Sequence, residues 1–450
     1  MTFRYRQSPR YLETSDGRIN ADAPPRTVPG MVDVNLDTRG QLRLFRAVPP
    51  QVIDRGPTTP NEIDWSTFFA AAGLDQADFH PVESKLTPRA SYDFSTAWEG
   101  AYPEDPQKPI RVEAAAFLGK VVWFEMVHSW EQPAREVATP MPTGQKVQLG
   151  LGIALVSLAA IGGGLLTVKN IRLGRGDRRG AFRLAHFVFW ASVVKLVFWP
   201  TTHHVPTIGE FFNLITPILA WSLLWAVFFW VLYMALEPFV RRRWPGRIIS
   251  WTRLLAGDLR DPMVGRDLLI GALYGIGLML WNFLWFQIRV WLGEPPVYPK
   301  DNVWLGAGSF LPFLGNQIVF WLLVWIVGFF VILMLSLVLR RDWLAFTLGW
   351  AILVVAFSVS VREPSPKGLV FGAIVTAIFF IFPLWRYGLL ALVSISFFNG
   401  LVDLPITTNF TAWYANGFVM YLALMVALAV YGFYTSLAGQ KPFGGKFLEE

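Results

Sequence analysis

Histidine and carboxylate groups come together in one short segment of the chain, at His203, His204 and Glu210. Imidazole and carboxylate are ligands for divalent metals such as zinc, so this spacing could place three ligands on one loop. A complete site would need further ligands, and the alternative is that these are polar residues at a membrane interface. The sequence therefore predicts no metal or cofactor, with these residues as the weak candidates.

Polar residues inside long apolar runs form a second group of candidates. Ionisable groups at membrane depth mark ion or substrate pathways by default. Interhelical hydrogen bonding is the alternative for the amides, and a lysine near a helix end can extend to the interface. The candidates are His186, Lys195, Asn282, Gln287, Arg289, Asn316 and Gln317, with Asn399 and Asp403 in the same class.

The segment 237–267 contains a cluster of arginines between two apolar runs. Basic loops face the cytoplasm in membrane proteins, so we expect this loop on the inner side. Glu237 can form an ion pair with the arginine run. The part from Arg247 to Leu259 has an apolar side, which suits either a helix lying in the interface or one packed under the bundle. The basic residues of interest are Arg241, Arg242, Arg243, Arg247 and Arg253.

Catalytic motifs are missing from the sequence. It contains no HExxH, GxSxG, Walker-type phosphate loop, kinase HRD or DFG, or Rossmann glycine fingerprint. The absence of cysteine also excludes disulfides, thiolate metal sites and cysteine nucleophiles. We predict no catalytic residues in this chain.

The composition indicates the class of protein that positions these residues. The 450 residues are 54% hydrophobic and 16% charged, which is typical of a polytopic membrane protein. A net charge of +7 needs no nucleic acid to explain it, since inward-facing loops are basic; the expected partner is the lipid bilayer. Nine membrane spans are predicted near 147–168, 184–200, 211–236, 268–292, 316–339, 343–360, 368–385, 388–402 and 415–437.

Small residues within these spans predict close helix packing. They occur as Gly271 and Gly275, four residues apart, and as three consecutive glycines at 162–164. Such residues let helix backbones approach each other in membranes. The seventh and eighth spans are separated by Arg386 and Tyr387 alone, so a re-entrant pair is an alternative there.

Charged loops predict the orientation. The links 169–183 and 237–267 and the pair Arg340 and Arg341 are all basic, and alternation of nine spans places them on one side. We therefore expect a bacterial inner-membrane protein with a cytoplasmic C-terminus and an extracytoplasmic N-terminal region. Because Met1 is followed by no signal peptide, we also expect a further span upstream in the full gene product.

The N-terminal region predicts a soluble α+β domain. Alternating residues around Gly40 and around Leu118 and Gly119 predict two hairpins. The run 64–73 predicts a short helix that starts at an acid and stops at a glycine. The expected divisions are an irregular lead-in at 1–30, the domain at 31–130, a linker at 131–146, the bundle at 147–437 and a tail at 438–450.

Several runs resemble the C-terminal part of bacterial membrane-bound serine/threonine protein kinases. In that family a cytoplasmic kinase domain and one span come first; both are absent here, so no catalytic residue carries over. The resemblance implies a kinase-associated sensor or anchor region, whose partners would be a cytoplasmic kinase domain or other membrane subunits. An accessory subunit of a larger complex and a transporter or channel stay as alternatives. The runs are VDVNLDTRGQLRLFRAVPPQ, PIRVEAAAFLGKVVWFEMV, KNIRLGRGDRRGAFRLAHF, ALEPFVRRRWPGRIISWTRLLAGDLRDPMVGRDLLIG and TAWYANGFVMYLALMVALAVYGFYTSLAGQKPFGG.

Overall fold

The chain divides into two units, each with its own core. We call them the sheet unit, Met1–Pro140 with Thr202–Leu214, and the helical unit, Met141–Thr201 with Ile215–Glu450. The computed structural model describes residues 2–12, 18–19, 23–52, 63–103, 105–129, 141, 143–198, 202–203, 207–293, 307–359, 366–404 and 406–440.

The sheet unit is built on an antiparallel sheet of seven strands in the order β1-β3-β4-β8-β7-β6-β5. A separate pair joins β2 to β9. The strands are β1 Phe3–Gln7, β2 Arg18–Ile19, β3 Val32–Leu36, β4 Leu42–Ala47, β5 His80–Val82, β6 Phe94–Tyr102, β7 Asp105–Phe117, β8 Lys120–His128 and β9 Thr202–His203.

Turn residues set the two predicted hairpins, and both are confirmed. Gly40, with φ +82°, lies between β3 and β4, and Gly119, with φ +74°, lies between β7 and β8. The predicted helix is also present as α1, Ser66–Ala71. Asp64 accepts hydrogen bonds from the Ser66 amide at 3.0 Å and the Thr67 hydroxyl at 2.8 Å, which starts the helix.

An aromatic core fixes α1 on the sheet. Phe69 of α1 is 1% exposed, and its ring lies 5.2 Å from Trp98 and 5.7 Å from Phe124. Burying an aromatic ring of this kind contributes about 2–3 kcal/mol to the free energy of unfolding. The core therefore holds β6 and β8 against the same helix.

The predicted irregular lead-in is wrong at its start. Phe3–Gln7 forms β1 and pairs along its whole length with Val32–Leu36. The reason is that β3 offers a free edge, and pairing satisfies the backbone groups of β1 whatever its side chains are. The strands β5 and β6 were also absent from the prediction.

The helical unit contains six helices that are long and apolar enough to cross a membrane, among the residues described. They are α2 Thr143–Arg172, α3 Arg178–Val197, α4 Ile208–Arg243, α6 Pro262–Trp291, α7 Ala307–Leu339 and α12 Ala415–Ser436. The structure thus confirms a largely helical chain with six candidate membrane-spanning helices and an N-terminal sheet domain, whereas the count of nine spans stays a prediction.

The other three predicted spans correspond to shorter apolar helices. The α8 helix covers Asp342–Val359, and α9 Pro366–Thr376 leads through a π-helical turn, Ala377–Ile381, into α10 Phe382–Arg386. The last is α11, Leu389–Asn399. The predicted linker lies outside the described residues through 140, and α2 already begins at Thr143. The predicted tail is outside them from 441 onward.

Glycines bring α6 and α11 into direct backbone contact, as the small-residue pattern predicts. A Cβ on Gly275 would lie 2.5 Å from the Phe398 Cβ and 2.7 Å from the Ile395 carbonyl oxygen. A Cβ on Gly271 would overlap the Ser394 Cβ. In the triple-glycine run, Gly163 packs against Leu232, whereas Gly164 faces open space.

Candidate functional site

A hydrogen-bonded polar network joins α7 to the end of α11. Gln317 donates from Nε2 to the Asp403 Oδ2 at 2.9 Å and accepts at Oε1 from the Trp321 Nε1 at 2.6 Å. Gln317 and Trp321 are four residues apart and so share one face of α7. Gln317 is only 5% exposed, so these bonds satisfy an amide that water does not reach.

The same region contains two further links between helices. Asn282 of α6 donates to the Asn399 side-chain oxygen at 3.3 Å, and Trp325 of α7 donates from Nε1 to the Ser396 hydroxyl at 2.6 Å. The predicted class of amide and carboxylate residues is thus brought together at Asn282, Gln317, Asn399 and Asp403. Buried interhelical hydrogen bonds of this type hold helices in register.

Two tryptophans of this network also form the wall of a large apolar cavity. Trp321 and Trp325 stack with ring centroids 6.0 Å apart, and they line a cavity of about 780 Å³ within the helical unit. Other parts of the wall come from α2, α8 and the segment 380–392. Because the walls are nearly all apolar, the cavity suits a hydrocarbon chain and gives no anchor for a charged substrate.

Three other predicted residues lie outside this network. Gln287 is exposed, and Arg289 and Asn316 are half-buried without joining the hydrogen bonds named above. The sequence shows which polar residues lie within apolar runs, but helix packing decides which of these residues contact each other. The sequence alone therefore could not distinguish these three residues from Gln317 as members of the network.

His186 and Lys195 lie on α3, away from the network. His186 stacks on Phe182 with ring centroids 6.1 Å apart and borders an apolar groove of about 560 Å³ between α3 and α7. Lys195 lies where α7 comes closest, since a Cβ on Gly315 would be 2.9 Å from the lysine Cβ. Helix packing thus accounts for the position of both residues.

Of the weak metal candidates, only Glu210 has a described side chain. Glu210 belongs to the start of α4, where its amide donates to the Thr207 hydroxyl and its carboxylate accepts from the same hydroxyl, both at 3.3 Å. His203 is in β9, and His204 lies outside the described residues. Within the described part of the chain, no three histidine or acidic side chains are close enough to hold a metal ion.

Several arginines of the predicted basic loop form ion pairs with acids of the same chain. Arg241 pairs with Glu237 at 3.1 Å and Arg253 pairs with Asp261 at 2.6 Å. Arg242 is exposed. The loop is therefore a structured surface on which neighbouring acids form ion pairs with several of the arginines.

Asp342 clamps the end of this loop to the start of α8. Its carboxylate accepts from Arg243 at 2.7 Å, from the Trp244 Nε1 at 3.0 Å and from the Ser336 hydroxyl at 2.7 Å. Next to it, the Arg247 guanidinium lies 4.9 Å from the Trp244 ring and 4.7 Å from the Phe346 ring. Burial in this aromatic setting lowers the pKa of Arg247.

The loop helix predicted at 247–259 is present as α5, Ile249–Ala256. Ile248 and Trp251 are 2% and 4% exposed and belong to the core of the helical unit. Of the two alternatives for this segment, the structure supports a helix packed under the bundle.

The sheet unit contains an arginine pocket that sequence reasoning missed. Asp33, 3% exposed, pairs with Arg26 and lies 3.6 Å from the Arg6 Nε. Arg46 borders the same space and reaches Glu125 at 3.4 Å. Burial lowers the pKa of Arg46, and the nearby charges of Arg89 and Arg26 lower it further. These residues are far apart in sequence, so no local motif marks them.

Comparison with known proteins adds no relative from which a role could be transferred. The chain matches no protein-family model, no curated protein and no solved structure. The geometry of the chain itself therefore carries the functional interpretation below.

Replacing Gln317 with leucine is expected to lower the stability of the helical unit by roughly 1–3 kcal/mol, because Trp321 loses its acceptor and Asp403 loses a donor in a buried site. Asn316→Leu is the matched control, since it removes an amide from the adjacent position outside the network. The measurement is the melting temperature of each variant in detergent. Equal melting temperatures for the two variants would contradict a structural role for the network.

Proposed function

We propose that this chain is the non-catalytic sensor and anchor region of a membrane signal-transduction protein of the kinase type. The observation that carries the proposal is the combination of a sheet unit, which has its own aromatic core and a pocket of about 670 Å³, with a multi-helix membrane unit. A pocket of this volume is large enough for a small ligand. The resemblance to the membrane kinases supports a cytoplasmic kinase domain as the partner that would receive the signal.

The proposed topology has nine spans, with the sheet unit outside the cell and the arginine-rich end inside. Helix lengths support two of the three shorter spans. At 1.5 Å per residue, α8 covers about 27 Å and the continuous stretch from Pro366 to Arg386 covers about 31 Å, close to the thickness of the hydrocarbon core. The segment from Leu389 to Asp403 covers only about 22 Å, which suits a crossing of a locally thinned bilayer or a partly re-entrant element.

The internal pairing of the basic end supports an anchor role. Arg241, Arg243 and Arg253 each have an acidic partner, and Asp342 joins α8 to the residues after α4. The pairs Arg243–Asp342 and Arg253–Asp261 connect different helices, so a shift of one helix would move its neighbour, whereas Arg241–Glu237 lies within α4. A bundle of this type can pass a displacement across a membrane without an open ion path.

The test places a serine/threonine kinase domain and one membrane span ahead of Met1 and measures autophosphorylation in proteoliposomes. The small-molecule fraction of growth medium is added from outside. The variant lacks residues 2–129. This deletion removes the whole seven-stranded sheet, whereas a shorter deletion would leave some of its strands unpaired. We expect the response to the fraction to disappear while membrane insertion stays intact. An identical response with and without the sheet unit would overturn the proposal.

A second candidate function is transport of a lipid-like molecule, which the 780 Å³ apolar cavity favours. Its test is the movement of a fluorescent phospholipid between leaflets of proteoliposomes. Movement no faster than in protein-free vesicles would remove this candidate.

A further inference from the structure

The arginine pocket of the sheet unit is lined by more arginines than acids among the described residues. Four arginines line it: Arg6, Arg26, Arg46 and Arg89. In the described part of the chain, the acids that contact this group are Asp33, which lines the pocket, and Glu125, which pairs with Arg46. Guanidinium groups brought together in a partly buried space repel each other unless an anion lies among them.

Two of the arginines have donors left for a ligand. The Arg46 Nε is buried and has no hydrogen-bond partner, although the same side chain reaches Glu125 through Nη2 at 3.4 Å. Arg89 is exposed at the pocket and forms no ion pair within the described part of the chain. A buried donor without a partner is unfavourable, and an incoming acceptor would remove that cost.

Much of the remaining wall is apolar, with Thr27, Gln51 and Ser91 as further polar residues. Met31 and Trp123 are each 3% exposed, and Phe117 and Pro49 also border the space. An inorganic ion would leave these surfaces without a contact. A molecule with an anionic group and a flat or branched apolar body would fill a volume of about 670 Å³ better.

We infer that this pocket binds a small organic anion, through Arg46 and Arg89 on a carboxylate or phosphate group and through Met31, Phe117 and Trp123 on its apolar body. Arginine suits this role because its planar fork donates two parallel hydrogen bonds to such a group. Asp33 keeps Arg26 and Arg6 in place beside the ligand. The inference names the ligand class for the proposed sensor function, and it rests on that function only for the biological meaning of binding.

The experiment measures binding to the full chain in nanodiscs of zwitterionic lipid by isothermal titration calorimetry, with empty nanodiscs as the blank. The probes are benzoate, its uncharged analogue benzamide, phenyl phosphate and inorganic phosphate. We expect benzoate or phenyl phosphate to bind, inorganic phosphate to bind more weakly, and benzamide not to bind. Binding should also weaken as sodium chloride is raised, because salt screens the arginines.

Arg89→Gln is the main variant, since this exposed side chain forms no ion pair with any described residue and we expect its loss to leave the fold intact. We expect its affinity for the organic anion to fall by about tenfold, as for the loss of one charge-assisted contact. Arg46→Gln should have a larger effect, and Arg46→Lys a smaller one. Lys108→Gln removes an exposed charge of the same sheet unit, at the far end of β7 from Phe117, and should bind as the unmodified chain does.

Failure of all anionic probes to bind would overturn the inference. So would equal binding of benzamide and benzoate, or equal affinities for Arg89→Gln and Lys108→Gln. Binding of inorganic phosphate as tightly as the organic anions would refute the role of the apolar wall. Because the assay uses no kinase output, its failure is distinct from a loss of the response measured with the fused kinase domain.

Discussion

Replacing Gly271 with leucine is expected to prevent correct assembly of the helical unit. A Cβ at this position would overlap the Ser394 Cβ and would lie 3.2 Å from the Ala391 carbonyl oxygen, so α6 and α11 would have to separate. Overpacking a close-packed interior costs about 1–3 kcal/mol and occasionally more. Because the new side chain would meet backbone atoms of α11, we expect a loss of stability at the upper end of this range. Gly271→Ala should lower the stability by less.

The measurement is the yield of monodisperse protein in detergent and its melting temperature. Gly164→Leu is the matched control, because it also adds a leucine to an apolar helix but has open space where its Cβ would lie. We expect the control to match the unmodified chain. A stable Gly271→Leu protein that melts with the control would show that α6 and α11 are not in backbone contact.

Replacing Arg111 with methionine is expected to unfold the sheet unit. Its Nε donates to the Glu113 Oε1 at 2.6 Å and its Nη1 to the Glu99 Oε1 at 2.5 Å. Glu113 is 0% exposed, so removing the arginine leaves a carboxylate charge with too few partners in a dry site. Breaking a buried pair in this way costs about 3–5 kcal/mol, which is a large part of the stability of a small domain.

Limited proteolysis of the full chain measures this effect as the rate of cleavage within residues 2–129. Lys108→Met is the control on the same strand, since its pair with Asp105 at 2.9 Å is exposed and contributes little to stability. Adding Glu113→Gln to Arg111→Met should recover part of the resistance, because the buried charge is then gone while the glutamine oxygen can accept from the Lys85 amide and its NH2 group can donate to the Ser84 hydroxyl. Equal cleavage of Arg111→Met and Lys108→Met would contradict the account.

Local signals were enough to predict parts of the sheet unit. The turn at Gly40 needs a positive φ that glycine adopts without strain, and Asp64 accepts hydrogen bonds from the first residues of the helix that follows it, so both features are encoded within a few residues. The strand Phe3–Gln7 was missed, although Phe3 and Tyr5 alternate with Arg4 and Arg6, because the run is short and gains its structure by pairing with a strand about thirty residues later.

In the candidate sites too, features encoded by neighbouring residues could be predicted, whereas contacts between residues far apart in the sequence could not. Apolar runs located the helices, and polar residues within them identified a class of candidates. The partners could not be predicted: Asn282 meets Asn399 across 117 residues, and Gln317 meets Asp403 across 86. The arginine pocket is harder still to predict, since Arg6 of β1 and Arg89, in the segment between β5 and β6, border one pocket although β1 and β5 are at opposite edges of the sheet.

The proposed function depends on which side of the membrane holds each unit. A sensor with an outer ligand pocket requires the sheet unit outside the cell and the arginine-rich end of the helices inside. The basic link between α2 and α3 and the pair Arg340 and Arg341 agree with this orientation under the positive-inside rule. A cytoplasmic sheet unit would turn the pocket into a site for a cytosolic anion and would remove the case for an external signal.

The most direct test is cysteine labelling in intact cells, which has no background from this chain because the chain contains no cysteine. Lys108→Cys reports on the exposed surface of the sheet unit, and Leu173→Cys reports on the exposed link after α2. With an impermeant thiol reagent, the account predicts that position 108 is labelled in intact cells and that position 173 is labelled only after permeabilisation. Labelling of position 173 in intact cells, with position 108 protected until permeabilisation, would contradict it.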